Sequence, residues 1–411
     1  MRVGTAIIVM ALAVALAASA VAGRFPLWLR SGPGPAQASS APSPRPAGTT
    51  SGPASGSPSG SPSPSQAPGP ALPTLSVRQM AGQRVIYSYG GLTPPAGLLR
   101  LISHGDAAGV IFFSQNVASA AQLTTVVAEL EQADASPLNP VRAPLLLMTD
   151  QEGGLVRRVP GPPLLSELQI GESADPSAAA TNAGASGGQN LRGIGINVNL
   201  APVLDVYRQP GDFDDQFQRS YSMNPAVVAE LGADFITAQQ RAGVAATAKH
   251  FPGLGAAAQR QDTDNMPVTL NLPLATIRGT DELPYKAAIA AGVRLVMVSW
   301  AVYPALEPGR PAGLSATIVN GELRQQLDFK GVTITDALEA GALRAFGSYQ
   351  NRALLAAEAG MDLILCSVQN VSEGEQATVG LEDGYRDGNL GKQAFTAALQ
   401  RVLALRESLP G

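Results

Sequence analysis

Short, continuous apolar segments alternate with stretches of helical length from about Leu75 onwards. Because these segments are apolar at successive positions, they are typical of parallel strands that are buried on both faces. The predicted strands are 84–87, 109–113, 145–149, 196–200, 245–249, 295–298, 332–335 and 362–365. The predicted helices between them include 120–133, 225–242, 352–359 and 392–409.

Eight strand–helix units over about 330 residues predict an α/β fold of the TIM type, a (β/α)8 barrel. A doubly wound open sheet is the alternative. The number of units favours the barrel. So does the segment "YSYGGLTPP" after the first predicted strand, whose glycines do not have dinucleotide-binding spacing.

The N-terminus differs in composition from the predicted barrel. Arg2 precedes an apolar stretch over 5–22, and the small residues at its end fit cleavage by a signal peptidase. Residues 1–23 are therefore predicted to be an export signal, with an uncleaved membrane anchor as the alternative. Residues 24–75 are rich in Pro, Ser, Gly and Ala and predict a disordered linker. We expect a barrel domain over 76–411 outside the cytoplasm, either secreted or tethered by the N-terminal segment.

Charge, cysteine and histidine content narrow the class of protein. Charged residues make up 15% of the chain and the net charge is −4, so nucleic-acid binding is not expected. Cys366 is the single cysteine, which excludes an intrachain disulfide and a thiolate metal cluster. The two histidines, His104 and His250, are far apart in sequence, so we expect no metal and no cofactor. We expect a monomer.

Polar side chains follow the predicted strands where a barrel places its active site. They are Asp150 and Glu152 after the third strand, Asp205 after the fourth, Lys249 and His250 at the fifth, Ser299 and Trp300 after the sixth, and Asp336 after the seventh. Structural interpretations stay open, because an aspartate after a strand can cap the next helix and Trp300 can be core packing. Glycoside hydrolysis fits such a set, since it needs two acidic groups on either side of one bond and no cofactor.

The order of motifs resembles the barrel domain of glycoside hydrolase family 3, in the single-domain β-N-acetylhexosaminidase branch. The matching segments are "GVIFFSQN", "LLLMTDQEGGLVRRV", "GINVNLAPVLDV", "RSYSMNP", "AKHFPGLG", "VMVSWAVYP", "PAGLSATIV", "LRQQLDFKGVTITDAL" and "AGMDLILC". They extend from about Ser76 to Leu405. The resemblance implies a retaining enzyme that hydrolyses terminal β-linked N-acetylglucosamine from cell-wall or related glycans, with a carbohydrate as its binding partner.

The resemblance also implies residue roles. Asp336 matches the nucleophile of the family. The expected substrate-binding set is Asp150, Arg219, Lys249, His250, Asp205 and Trp300. Of these, Asp150 matches the residue that holds sugar hydroxyls, and Trp300 is expected to offer an aromatic surface to the ligand.

The segment "AKHFPGLGAAAQRQDTDNMP" departs from the family pattern. The branch typically continues its Lys-His pair with a Gly-His-Gly turn and then an Asp-Ser-His triplet, whose histidine is the acid/base. Here the turn is Gly-Leu-Gly and the triplet is Asp-Thr-Asp, with a one-residue shift before Pro267. Asp264 therefore occupies the position of the catalytic histidine, and Asp262 is its expected support.

Two interpretations of this loop remain open. In the first, Asp264 is the proton donor, with its pKa raised by burial and by the nearby charge of Asp262. In the second, the loop has lost its acid, and the protein is a sugar-binding or sensory barrel with impaired turnover. A β-glucosidase, from the other large branch of the family, is a less favoured assignment, since that branch usually draws its acid from a following α/β domain.

Overall fold

The computed structural model describes residues 74–410, which form a closed parallel barrel. Its strands are β1 (Val85–Tyr87), β2 (Gly109–Phe112), β3 (Leu146–Thr149), β4 (Val198–Asn199), β5 (Ala245–Phe251), β6 (Leu295–Val298), β7 (Val332–Thr335) and β8 (Ile364–Leu365). They pair in the order β7-β6-β5-β4-β3-β2-β1-β8, and a parallel bridge between Ile334 and Leu363 joins the two ends. The predicted (β/α)8 barrel is confirmed, and each predicted strand coincides with one of these eight, although β5 extends two residues beyond the predicted 245–249.

Helices connect the strands, and their ends follow local capping. The α-helices are Val77–Gly82, Ala96–Ser103, Ala120–Asp134, Glu167–Gly171, Pro176–Ile194, Phe213–Gln216, Pro225–Arg241, Leu274–Thr276, Leu283–Ala290, Tyr349–Ala359, Val371–Arg386 and Lys392–Glu407. Segments of 3-10 or π geometry are Ser114–Asn116, Ile277–Asp281, Ala312–Leu314, Thr317–Gln326 and Gly341–Phe346. The helix predicted from 352 begins earlier, at Tyr349, because the Ser348 side chain caps it by accepting from the Asn351 N–H.

Two hydrophobic clusters explain why most positions of the strand segments are apolar. Ile86, Ile111 and Met148 belong to the cluster inside the barrel. The neighbouring Tyr87 and Val110 point the other way and belong to the layer between the strands and the helices. Because both faces of each strand are buried, the strands show little alternation of polar and apolar residues, with Val-Thr-Ile-Thr in β7 as an exception.

Two short hairpins extend the barrel beyond the carboxyl ends of its strands. Gln151–Gly153 pairs with Val156–Arg157 after β3, and Val302–Tyr303 pairs with Glu307–Pro311 after β6. Within residues 74–410, no helix combines the length and the apolar character of a membrane span. The predicted signal or anchor over 1–23, and the predicted linker over 24–75 apart from its last two residues, lie outside the described residues and stay predictions.

Candidate active site

A cavity of about 630 Å³ opens at the carboxyl ends of the strands. The predicted site residues that line it are Asp150, Arg219, Lys249, His250, Asp262, Asp264 and Asp336. The cavity therefore collects residues that are almost 190 positions apart in the sequence, from Asp150 to Asp336. Its size is typical of a site for a small ligand.

Asp205 and Trp300 do not line this cavity, because both are fully buried behind its wall. Asp205 contacts His250, as described below. The Trp300 Nε1–H donates to the Ala337 carbonyl oxygen at 2.8 Å, and its ring packs against Gly313. Trp300 thus supports the backbone beside Asp336, and the expectation that it offers its ring to a ligand disagrees with its burial.

A buried ion network forms one wall of the cavity. Arg219 donates to Glu152 through two parallel bonds of 2.9 Å, from Nε to Oε2 and from Nη2 to Oε1. Lys249 Nζ lies 2.7 Å from Glu152 Oε1 and 2.8 Å from Asp150 Oδ1. Burial alone would raise the pKa of Glu152, but the charges of Arg219 and Lys249 outweigh it and hold that pKa well below its usual range. Both cations are therefore fixed in position at the cavity wall.

Glu152 is a site residue that the resemblance did not assign, although it follows Asp150 by two positions in "DQEGG". Its side chain is only 2% exposed and still lines the cavity. The signal was available, since a charged residue directly after a buried strand needs a partner. What the sequence lacks is the direction of the hairpin Gln151–Gly153, which turns this carboxylate towards Arg219 and Lys249.

His250 is held by Asp205 in a neutral state. Its Nδ1 lies 2.7 Å from Asp205 Oδ2, and Asp205 also accepts from the Leu254 and His250 backbone N–H groups. Burial, reinforced by the charge of Arg219, lowers the pKa of His250 to about 4. The Nδ1 proton is therefore donated to Asp205, and Nε2, which lies 3.5 Å from Arg219 Nη2, carries no proton near neutral pH.

Asp214 adds a second buried carboxyl group next to Asp205. Burial and then the charge of Asp205 raise the pKa of Asp214 to about 7, while Arg219 Nη1 lies 3.2 Å from its Oδ1. Asp205, Asp214 and His250 place one possible metal ligand each within 4.8 Å of one another, the one such set among the described residues. Asp205 and His250 hydrogen-bond to each other, and Asp214 Oδ1 is paired with the Arg219 cation, whose positive charge beside the set disfavours a dication.

Asp336 lies at the rim, directly after β7. Its side chain is half-buried, lines the cavity, and accepts from the Ala337 N–H through Oδ1 at 2.7 Å. The other carboxylate oxygen has no protein donor among the described hydrogen bonds. The position agrees with the sequence prediction that the residue after the seventh strand faces the cavity.

The loop that carries Asp264 lies beside the segment that follows Asp336. The Gly341 N–H donates to the Asp264 carbonyl oxygen at 2.7 Å, and the Ala342 N–H donates to the Thr263 carbonyl oxygen at 3.0 Å. Asp262 shapes the loop, because its Oδ1 accepts from the Asp264 N–H at 2.9 Å. The two carboxylates that the sequence separates by 72 positions are thus on adjacent segments.

The pKa of Asp264 is raised to about 7, although one side of its side chain is open to solvent. Burial among the surrounding protein atoms is the largest cause. The negative charges of Asp336, Asp262 and Glu339 add to it, because like charges in one cavity resist joint ionisation. Near neutral pH a substantial fraction of Asp264 is therefore protonated.

The outer wall of the cavity is apolar on one side and acidic on the other. Leu155 is 65% exposed and Phe217 is 43% exposed, and both line the cavity. Phe213 supports Phe217 edge-on, with 5.7 Å between the ring centroids. The acidic residue is Glu339, which lines the cavity and accepts from the Ser367 hydroxyl at 2.8 Å. Exposed apolar side chains at a polar cavity suit the flat faces of sugar rings.

A closed barrel whose polar cavity holds fixed cations and two neighbouring carboxyl groups defines a barrel glycosidase. The sequence profile of the glycosyl hydrolase family 3 N terminal domain matches residues 79–405. An uncharacterized secreted glycosyl hydrolase of Arthroderma benhamiae is 45% identical over 341 residues, which cover 83% of this chain and 96% of the relative.

Two further relatives point the same way. A β-hexosaminidase of Thioalkalivibrio sulfidiphilus is 35% identical over 276 residues, covering 65% of this chain and 75% of the relative. The solved structure of a family 3 β-N-acetylglucosaminidase from a Paenibacillus species matches with a TM-score of 0.76 at 34% identity, over 82% of this chain and 63% of that one. The chain belongs to glycoside hydrolase family 3, and the predicted glycosidase class is confirmed.

Proposed function

We propose that this protein is an exported, retaining β-N-acetylglucosaminidase that removes terminal β-linked N-acetylglucosamine from cell-wall or related glycans. The β-hexosaminidase of Thioalkalivibrio and the β-N-acetylglucosaminidase of Paenibacillus support the sugar, and the secreted Arthroderma relative supports export. The apolar stretch over 5–22 supports export independently. The protein acts as a monomer on a carbohydrate, without a metal or cofactor.

Asp336 is the nucleophile in this proposal. It lines the cavity at the rim, and its Oδ1 accepts from the Ala337 N–H. Asp150, Lys249 and Arg219 bind sugar hydroxyls and the acetamido group, because their charges are fixed by mutual ion pairs and need no rearrangement on binding.

Asp264 is the proton donor, and the single observation that carries this assignment is its position beside Asp336 with a pKa raised to about 7. Neither histidine competes for the role. His250 has a pKa lowered to about 4, and its Nδ1–H donates a hydrogen bond to Asp205. His104 ends the helix Ala96–Ser103 and does not line the cavity.

The proposed cycle has two steps. In the first, the Asp336 carboxylate bonds to the anomeric carbon while the Asp264 carboxyl group gives its proton to the departing glycosidic oxygen. In the second, Asp264 takes a proton from water, the water oxygen bonds to the anomeric carbon, and Asp336 leaves as a carboxylate. Esterification removes the charge of Asp336, which is a cause of the raised pKa of Asp264, so Asp264 becomes a better-ionised base when the second step needs one.

The alternative is a barrel that binds N-acetylglucosamine without efficient turnover. The test compares Asp336→Ala, Asp264→Asn and the parent on two substrates, N,N′-diacetylchitobiose and 2,4-dinitrophenyl β-N-acetylglucosaminide. Asp383→Asn, an exposed aspartate on the outer helix Val371–Arg386, is the matched control.

We expect Asp336→Ala to lose turnover of both substrates. In Asp264→Asn, kcat/KM should fall about 10²–10⁴-fold on diacetylchitobiose and far less on the dinitrophenyl glycoside, whose leaving group needs no proton. A parent that binds N-acetylglucosamine in calorimetry without turnover of either substrate would establish the binding barrel instead. Full activity of Asp336→Ala would refute the nucleophile.

A further inference from the structure

The loop that bears Asp264 is tied to the barrel at one place. Within residues 74–410, hydrogen bonds from outside the loop reach residues 262–267 only from Gly341 and Ala342. The remaining bonds of the loop are internal, because Asp262 accepts them from Asp264, Asn265 and Met266. Thr263 is buried at this contact, whereas the side chains of Asp264, Asn265 and Met266 are exposed. The contact with Gly341 and Ala342 therefore sets where Asp264 lies.

Glycine is the residue that permits this contact. A Cβ atom on Gly341 would lie 2.2 Å from the Asn265 carbonyl oxygen, 2.3 Å from its carbonyl carbon and 2.9 Å from the Asp264 carbonyl oxygen. These are backbone atoms, so no change of rotamer relieves the overlap, and the loop itself has to move. Gly341 begins the 3-10 segment Gly341–Phe346, a backbone conformation that alanine adopts readily. The requirement for glycine comes from the close approach and not from backbone strain.

We infer that Gly341 is a positioning residue that holds the Asp264 carboxyl group next to Asp336 for proton transfer, an inference that rests on the proposed role of Asp264. Gly341 lies five positions after Asp336 in the same segment, so one stretch of chain carries the nucleophile and locates its partner. Displacement of a catalytic group by about 1 Å costs on the order of 10²-fold in rate.

The test is Gly341→Ala, with Gly97→Ala as the matched control. Gly97 lies on the exposed face of the helix Ala96–Ser103, where an added Cβ meets no atom within 4 Å. We expect Gly341→Ala to lose about 10²-fold in kcat/KM on diacetylchitobiose and less than about tenfold on the dinitrophenyl glycoside. Gly97→Ala should match the parent on both.

Azide gives a readout that a loss of stability would not change. With the dinitrophenyl glycoside the second step limits turnover when Asp264 is displaced. Azide then bonds through nitrogen to the anomeric carbon, expels the Asp336 carboxylate and needs no base. We expect azide to accelerate Gly341→Ala and Asp264→Asn and to yield the β-glycosyl azide, with no acceleration of the parent or of Gly97→Ala.

The outcomes separate this inference from the proposed function. If Asp264→Asn hydrolyses diacetylchitobiose like the parent, the proposed acid is wrong. If Asp264→Asn loses activity on diacetylchitobiose selectively while Gly341→Ala slows hydrolysis of both substrates equally or of neither substrate, only the positioning role of Gly341 is wrong. The double variant Gly341→Ala, Asp264→Asn should lose no more kcat/KM on diacetylchitobiose than Asp264→Asn alone, because both changes remove the same proton transfer.

A second variant covers the case in which Gly341→Ala does not fold. Ala342→Pro removes the N–H that donates to the Thr263 carbonyl oxygen and leaves Gly341 in place. Proline is tolerated in the first turn of a helical segment. The same substrate-selective loss and azide response are expected, and parental activity of Ala342→Pro on diacetylchitobiose would overturn the inference.

Discussion

The pH dependence of hydrolysis should report the protonation of Asp264. Its pKa is raised to about 7 by burial and by the charges of Asp336, Asp262 and Glu339. An acid has to be protonated to act, so kcat/KM on diacetylchitobiose should fall above about pH 7, tenfold for each further pH unit. The sign is fixed, since ionisation of Asp264 removes the proton that the leaving oxygen needs.

Removing one of these charges should move the alkaline limb of the pH profile, the fall of kcat/KM above about pH 7, to lower pH. In Glu339→Gln the side chain keeps an oxygen that accepts from the Ser367 hydroxyl, while the charge and the longer 3.4 Å bond from the Ser367 N–H are lost. Charges that face each other across a cavity open to water interact by roughly 0.5–1 kcal/mol, and screening favours the low end. That free energy corresponds to about half a pH unit.

A buried neighbour has to be controlled in this experiment. Burial and then the charge of Glu339 raise the pKa of Glu373 to about 8, so Glu373 is largely neutral at pH 7. Once Glu339 is neutral, Glu373 ionises more easily and could replace the lost charge. The double variant Glu339→Gln, Glu373→Gln excludes this and should show the full shift.

The assay is kcat/KM on diacetylchitobiose from pH 5 to pH 9, with Asp383→Asn as the control for a charge removed far from the cavity. An alkaline limb that stays in place or moves upward in the double variant would refute the electrostatic reasoning. If the residual activity of Asp264→Asn shows the same alkaline limb, the titrating group that causes this limb is not Asp264.

Two other variants test the walls of the cavity. Glu152→Gln leaves Arg219 and Lys249 without their shared buried carboxylate, so the free energy of unfolding in urea should fall by about 3 kcal/mol, and a change below about 1 kcal/mol would contradict the ion network. Phe217→Ala removes the exposed ring at the mouth, so KM for diacetylchitobiose should rise about tenfold with little change in kcat. Met223 is similarly exposed but does not line the cavity, so Met223→Ala should leave KM unchanged. An unaltered KM in Phe217→Ala would exclude this ring from substrate contact.

The barrel and the rim residues could be predicted because both follow from chain direction. A strand buried on both faces is mostly apolar, and the first charged residue beyond its carboxyl end faces the mouth, as Asp150 and Asp336 do. Trp300 shows the limit of that argument. It also follows a strand, but its ring turns into the core and its N–H reaches the Ala337 carbonyl, because the segment after β6 folds back as a hairpin.

Other loop residues of the cavity, which no motif marked, could not be predicted, because their positions depend on contacts that no local pattern encodes. Asp214 lies in the short helix Phe213–Gln216, and nothing in "GDFDDQ" indicates which of its acids reaches Arg219. Glu339 and Gly341 belong to "DALEAGAL", which shows a helix-like composition and no sign of a contact with the loop 262–265. Their importance follows only from the packing of two loops against each other.

That packing also bears on why an aspartate can stand where the family resemblance leads one to expect a histidine. A carboxyl group extends less far from its backbone than an imidazole ring, so a loop that offers Asp264 has to lie closer to Asp336 than one that offers a histidine. The backbone of Asp264 and Asn265 does approach the segment after Asp336 so closely that a single methyl group on Gly341 would not fit. The glycine contact therefore lets the backbone that carries the shorter acid approach the segment after Asp336.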